Sequence, residues 1–158
     1  MNKVVTGVIS AMSGAVLGAG FTGKVAYRKT KDLDEKAERY LTLFRMMDKW
    51  VEIKQGGKNL SLYFQKREYT RIAIYGMSRA GKTLYNELEG TGITVAYGID
   101  KSAETMYADV DILGLDDSLE PVDAVVVTAV TYFQEIKKDI SEKVHCPVIS
   151  LEDILYEV

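Results

Sequence analysis

The chain has 158 residues, of which 47% are hydrophobic, a net charge of -3 and a pI near 5.3. This length allows one ordinary hydrophobic core, and the slightly acidic balance provides no basic field that would attract nucleic acid. The only cysteine is Cys146 and the only histidine is His145, which excludes an internal disulfide and argues against a zinc site of Cys/His type. We therefore expect neither a nucleic-acid partner nor a metal site.

The N-terminal segment has the features of a membrane anchor. Residues 4–23 carry no charged side chain, and a helix of this length crosses the hydrocarbon core of a bilayer. Basic residues are more numerous after the segment than before it, so the positive-inside rule predicts an inner-membrane protein with its C-terminal body in the cytoplasm. Gly14 and Gly18 form a G-x-x-x-G motif that could pair two spans in a homodimer. A cleaved secretory signal is the alternative.

Residues 32–53 predict an amphipathic helix, because their apolar side chains recur at steps of three and four positions. The apolar positions are Leu33, Ala37, Tyr40, Leu41, Phe44, Met47 and Val51. We expect this face to pack on the chain's own domain, with a membrane surface or a partner protein as the alternatives. The glycines at 56 and 57 end the helix, and Asn59 is placed to cap a short helix that follows.

From residue 70 onward, strand patterns and helix patterns alternate. Strands are predicted at 71–75, 93–99, 110–113, 124–128 and 147–149. Helices are predicted at 78–89, near Glu104, at 131–143 behind a Thr131-x-x-Gln134 capping box, and after the N-cap Ser150. The alternation predicts an α/β fold with a Rossmann-like parallel sheet of about five strands. The expected domains are the anchor and its basic flank at 1–31, a helical linker at 32–69, and a nucleotide-binding domain at 70–158.

The turn after the first predicted strand matches two nucleotide-binding motifs. Gly76 to Thr83 fits G-x-x-x-x-G-K-[ST], the P-loop that wraps triphosphates. The same glycines, Gly76 and Gly81, fit the dinucleotide motif G-x-G-x-x-G with Ser78 in place of its middle glycine. In both cases a strand enters a helix through a tight turn, so free backbone N–H groups and the positive end of the helix dipole favour phosphate.

The surrounding sequence favours the dinucleotide interpretation. A P-loop enzyme needs a magnesium-binding acid at the end of a later strand, where this chain has Thr128. The dinucleotide fold instead needs an acid about twenty residues after the glycines, at the tip of the second strand, and Asp100 occupies that position. Arg79 and Lys82, near the helix start, could neutralise a ligand. The predicted binding residues are therefore Gly76, Ser78, Arg79, Gly81 and Asp100.

Several short segments together resemble a known family of small NAD(P)-binding-like Rossmann domains. The segments are IAIYG at 72–76, YGID at 97–100, DILG at 111–114, DAVVVT at 123–128 and ISLEDI at 149–154. The family is associated with bacterial surface-polysaccharide synthesis and is similar to the N-terminal domains of membrane-bound nucleotide-sugar epimerases and dehydratases, and of some sugar acyltransferases. The resemblance implies NAD(P) or a nucleotide-sugar as ligand and proteins of glycan assembly as partners.

The chain has no room for a second region that would hold a substrate and supply acid–base groups. Tyr75, Tyr97, Tyr107 and Tyr132 are expected to serve in packing rather than catalysis. The first hypothesis is therefore a membrane-tethered, non-catalytic nucleotide or nucleotide-sugar binding module. The alternatives are a NAD-dependent sugar-modifying subunit completed by a partner, a P-loop NTPase, and a scaffold that binds no ligand.

Overall fold

The computed structural model describes residues 33–158 of the chain. The chain divides into two units, Met1–Thr42 and Leu43–Val158. Residues 33–42 of the first unit are helical, and the second unit begins with helical residues 43–55, so the name α1 is used for residues 33–55. The predicted span at 4–23, with Gly14 and Gly18, lies outside the described residues, among which no helix has the length and apolarity to cross a membrane.

Within residues 43–158, five parallel strands form one sheet in the order β3-β2-β1-β4-β5. The strands are β1 Arg71–Tyr75, β2 Thr94–Ile99, β3 Ile112–Leu113, β4 Ala124–Val127 and β5 Val148–Ser150. The central strand β1 and its neighbour β4 are almost entirely buried, as the continuous apolar sequences of parallel strands require. The predicted α/β fold with a parallel sheet is confirmed.

Helices cover both faces of this sheet. They are α2 Ser61–Gln65, α3 Arg79–Leu88, α4 Phe133–Ser141 and α5 Leu151–Glu157, with 3-10 turns at Ala103–Thr105 and Val130–Tyr132. Alternate residues of β1 point to opposite faces, so Ile72 and Ile74 join the apolar cluster under α1, α2, α3 and α5, whereas Ala73 and Tyr75 join the cluster under α4. Each face of the sheet thus has its own core.

The predicted helix caps have different outcomes. Ser150 caps α5 as expected, because its Oγ accepts a hydrogen bond from the Glu152 N–H at 3.2 Å. The Oδ1 of Asn59 accepts from the Ser61 N–H at 2.8 Å, which supports the start of α2. The predicted Thr131 capping box is wrong. Thr131 lies inside the 3-10 turn, whose first residue Val130 is buried, and α4 begins only after that turn.

The prediction for the packing face of α1 is also wrong in the second unit. Phe44, Met47 and Val51 are exposed, with Phe44 68% accessible to solvent. The helix packs instead through a second apolar stripe, whose members are Met46, Trp50 and Ile53. Trp50 accounts for the packing of this stripe against the domain, because its large side chain is buried and its Nε1–H donates to the carboxylate of Glu87 in α3.

Candidate functional site

The predicted binding residues meet at the carboxyl edge of the sheet. The chain leaves β1 to form β2 on one side, and β4 lies on the other side, so the strand order reverses direction between β1 and β4. In open α/β sheets, ligands bind in the crevice at such a switch point. Gly76 follows β1, Asp100 follows β2 and Ala129 comes just after β4, which places all three at this edge.

Gly76 has a backbone that only glycine tolerates. Its φ angle is +91°, and a Cβ atom there would lie 2.8 Å from the Thr128 Oγ1. Its N–H donates to the Ile99 carbonyl at 2.8 Å, which continues the pairing of β1 with β2 into the turn. The turn itself is short, because only Met77 and Ser78 separate Gly76 from the start of α3.

Gly81 lets α3 pack directly onto the turn. A Cβ atom on this residue would collide with the carbonyl oxygen of Gly76, a backbone atom that cannot move aside. Close helix–strand packing is the role of the last glycine in the dinucleotide motif. The structure therefore gives a physical reason for both glycines that the sequence singled out.

The geometry of α3 differs from that of a P-loop. The helix begins at Arg79, so Lys82 and Thr83 lie within it rather than at the end of an arched loop. The Thr83 hydroxyl donates to the Arg79 carbonyl at 2.9 Å, which commits it to its own helix, and the Lys82 side chain is exposed. A P-loop needs that hydroxyl for magnesium and that ammonium group for phosphate, so this arrangement counts against the NTPase alternative.

Ser78 and Arg79 form the start of α3. Ser78 is the N-cap residue with an extended backbone, and among residues 33–158 its side chain finds no capping partner. The first hydrogen bond of the helix runs from the Lys82 N–H to the Ser78 carbonyl at 3.0 Å. The N–H groups of residues 79–81 precede that bond and have no acceptor within α3. Both side chains are exposed, so this helix start is open to a ligand.

Asp100 supports the turn as well as the cleft. Its Oδ2 accepts from the Met77 N–H at 3.1 Å, and its Oδ1 accepts from the Ser102 N–H at 3.0 Å. A carboxylate has about four lone-pair sites, so each oxygen retains capacity for a ribose hydroxyl. The predicted acid is therefore in the predicted place, and it also holds the tips of β1 and β2 together.

Three residues that shape the turn were not singled out for this role by the sequence. Met77 is fully buried under β2, where Gly98 leaves room for it. A Cβ atom on Gly98 would collide with the Met77 side chain and lie 2.7 Å from the Cδ1 of Ile112. The Thr128 hydroxyl donates to the Gly76 carbonyl at 2.6 Å and so ties the end of β4 to the turn. These contacts join distant positions and leave no local pattern in the sequence.

A cleft of about 350 Å³ opens beside the turn. Its walls include Gly76, Ser78 and Asp100 on one side and Ala129, Tyr132 and Glu135 on the other. Burial raises the pKa of the Tyr75 hydroxyl at its base, and the charges of Asp100, Asp139 and Glu135 raise it further. Asp100 and Glu135 thus bring carboxylates to the cleft near Tyr75, and Lys101 also lines it.

The tyrosines of the sequence have different surroundings. Tyr75 and Tyr97 are buried as expected, and the Tyr97 hydroxyl donates to the Glu120 carbonyl at 2.6 Å. The packing prediction is wrong for Tyr107, which is 90% exposed because it lies in the irregular segment between the 3-10 turn after β2 and β3. It is wrong for Tyr132 as well, whose side chain is 46% exposed in the wall of the cleft, where a ligand could touch it.

Comparison of the chain with known protein families, with curated proteins and with solved structures found no match. The geometry of the cleft and the residues that form it are therefore the basis for inferring a function.

Proposed function

We propose that the domain is a binding module for a nucleotide or nucleotide-sugar, non-catalytic by itself. The observation that carries the proposal is the meeting of the glycine turn, the open start of α3 and Asp100 around one cleft at the strand-order switch point. Each of these features is what a dinucleotide-type site uses to hold a different part of the ligand.

The ligand would span the turn. Its phosphate groups accept hydrogen bonds from the first N–H groups of α3 and from the Ser78 hydroxyl, and Arg79 neutralises part of their charge. A ribose hydroxyl donates to Asp100, whose oxygens keep free lone pairs beside their bonds to Met77 and Ser102. NAD(P) and nucleotide-sugars both carry this pairing of ribose with pyrophosphate.

The cellular context is part of the proposal. The uncharged segment 4–23 and the basic residues after it support a tether at the cytoplasmic face of a membrane. The resemblance of the strand and turn segments to polysaccharide-synthesis domains supports glycan assembly, with other proteins of that process as partners. In this setting the module would sense or deliver an activated sugar.

Thermal unfolding of the full chain in detergent tests the binding proposal. We expect NAD or a UDP-sugar to raise the melting temperature, since a ligand at a hundredfold excess over its Kd stabilises by about 2.7 kcal/mol. Ser78→Asp should abolish that rise, because the new carboxylate repels phosphate. The variant should fold normally, because aspartate is itself a good N-cap residue. Ser118→Asp adds the same charge in an exposed loop and should leave the rise unchanged.

The same assay separates the alternatives. Stabilisation by ATP with Mg²⁺ that is lost in Lys82→Ala would establish the P-loop instead. Absence of any rise with all three ligands would leave the scaffold as the better account. A sugar-modifying enzyme completed by a partner would bind NAD in this cleft and turn over only when the partner is added.

A further inference from the structure

The outer stripe of α1, defined as Phe44, Met47 and Val51, is an apolar surface that faces solvent. These side chains are 68%, 40% and 50% exposed. The centre of the packed stripe of the same helix, Met46 with Trp50 and Ile53, lies about 130° away around the helix axis at about 100° per residue. The domain therefore covers one side of α1 and leaves the outer stripe uncovered.

The spacing of the outer stripe is that of a coiled coil. In sequence it continues backwards through Tyr40, Ala37 and Leu33, with steps that alternate strictly between four and three residues from Leu33 to Val51. Steps of four and three residues are those between the a and d positions of a coiled coil, so this spacing places the six side chains in one stripe that can face a second helix. In residues 33–42 the helix exposes Leu33 and Tyr40.

The charge pattern of α1 distinguishes a second copy of the chain from a lipid surface. Residues 33–55 contain five acidic and five basic residues, so their net charge is zero. A helix that lies on an anionic membrane carries an excess of Lys and Arg on its polar face, which this helix lacks. Its electrostatics give no attraction to anionic lipid and are compatible with a self-paired helix.

The flanking positions favour the parallel orientation. In an antiparallel pair that places Phe44 opposite Tyr40, the carboxylate of Asp34 would face Asp48 of the partner subunit, and this repulsion would occur twice. In a parallel pair, Lys36 flanks Leu41 of the partner subunit and Leu43 flanks its Asp48, so like charges do not meet. A tether at the N-terminus of both copies would be compatible with parallel helices.

We propose that two copies of this chain pair through the outer stripe of α1 as a short parallel coiled coil. In this pair Trp50 stays packed in the core of its own domain. The two domains then lie on opposite sides of the helix pair. The dimer would thus present two clefts.

Disulfide trapping of the full chain tests both the pairing and its orientation. In a Cys146→Ser background, Val51→Cys or Tyr40→Cys should form a cross-linked dimer on mild oxidation, because equivalent residues of the seam face each other only in a parallel pair. Glu52→Cys, one position away, should remain monomeric. The Val51→Cys cross-link should persist in Gly14→Leu/Gly18→Leu, which removes the other predicted pairing motif.

A charge on the seam should abolish the dimer. Phe44→Asp is expected to lose the Val51→Cys cross-link and to sediment as a monomer, whereas Tyr156→Asp, which alters another exposed aromatic residue, should keep both properties. Circular dichroism would verify that both variants fold. Equal cross-linking at 51 and 52, or a wild-type chain that sediments as a monomer at the concentrations used for trapping, would overturn the proposal. Vesicle binding that Phe44→Asp removes without any seam cross-link would assign the stripe to lipid and would overturn it too.

Discussion

The glycine turn and α1 both carry clear sequence patterns, yet only the turn pattern predicts its own surroundings. At the turn, Gly76 and Gly81 are close in sequence and in space, so the motif determines a local geometry that the structure shows. In α1 the apolar period predicts an apolar face but does not predict whether the domain buries that face. The helix has two apolar stripes, and the domain buries only one of them. A motif defined by backbone constraints is therefore more informative than a periodicity defined by hydrophobicity.

The largest expected difference in stability is between substitutions in the two apolar stripes of α1. Trp50→Ala should lower the free energy of unfolding by about 3–5 kcal/mol, because it leaves a cavity and removes the donor to Glu87. Phe44→Ala should change it by roughly 0.5 kcal/mol or less in the monomer. Urea unfolding at low protein concentration measures both. Equal costs would mean that the outer stripe also packs on the domain.

The glycine turn should be sensitive to a single methyl group. Gly81→Ala should destabilise the chain by about 1–3 kcal/mol through its collision with the Gly76 carbonyl. Helix propensity alone would instead stabilise the variant by about 1 kcal/mol, so the sign of the change is decisive. Thr83→Ala, at an exposed position of the same helix, is the control and should stay within about 0.5 kcal/mol of the wild type. Stabilisation by Gly81→Ala would show that α3 does not rest on the turn.

Removing the hydrogen bond between the end of β4 and the turn should lower the free energy of unfolding by a smaller amount. Thr128→Val keeps the shape of the side chain but removes the hydroxyl that donates to the Gly76 carbonyl, which should cost about 1 kcal/mol. Thr128→Ser keeps the donor and should recover much of that loss in the same unfolding assay. If serine and valine were equally destabilising, packing of the methyl group rather than the hydrogen bond would hold the turn.

The opposite end of the sheet should give the smallest effect, which appears as a change in how stability depends on acid pH. The Asp123 Oδ2 accepts from the N–H groups of Arg71 and Thr70 at 2.8 and 2.7 Å, and these bonds lower the pKa of the carboxyl. Its stabilisation is therefore present above the unfolded-state pKa of about 4 and is lost as pH falls through the lower folded-state pKa. Asp123→Asn should flatten this part of the curve of urea midpoint against pH. An unchanged curve would contradict the assignment.

The sequence predicted the parts of the structure that depend on local backbone chemistry. The first strand, the Ser150 cap and the position of Asp100 all follow from short-range patterns. The Thr131 cap failed because a 3-10 turn anchored by the buried Val130 competes with the helix start. Met77, Gly98 and Thr128 were not predicted to shape the site, because their roles arise from contacts between strands that only the folded chain brings together.

The proposed function depends above all on binding of a nucleotide phosphate at the start of α3. Isothermal titration of the wild type and Ser78→Asp with NAD and with a UDP-sugar tests it most directly, with Ser118→Asp as the charge-matched control. We expect saturable binding to the wild type and to Ser118→Asp, and loss of binding in a folded Ser78→Asp. Unchanged binding in Ser78→Asp, or no heat with either ligand, would contradict it.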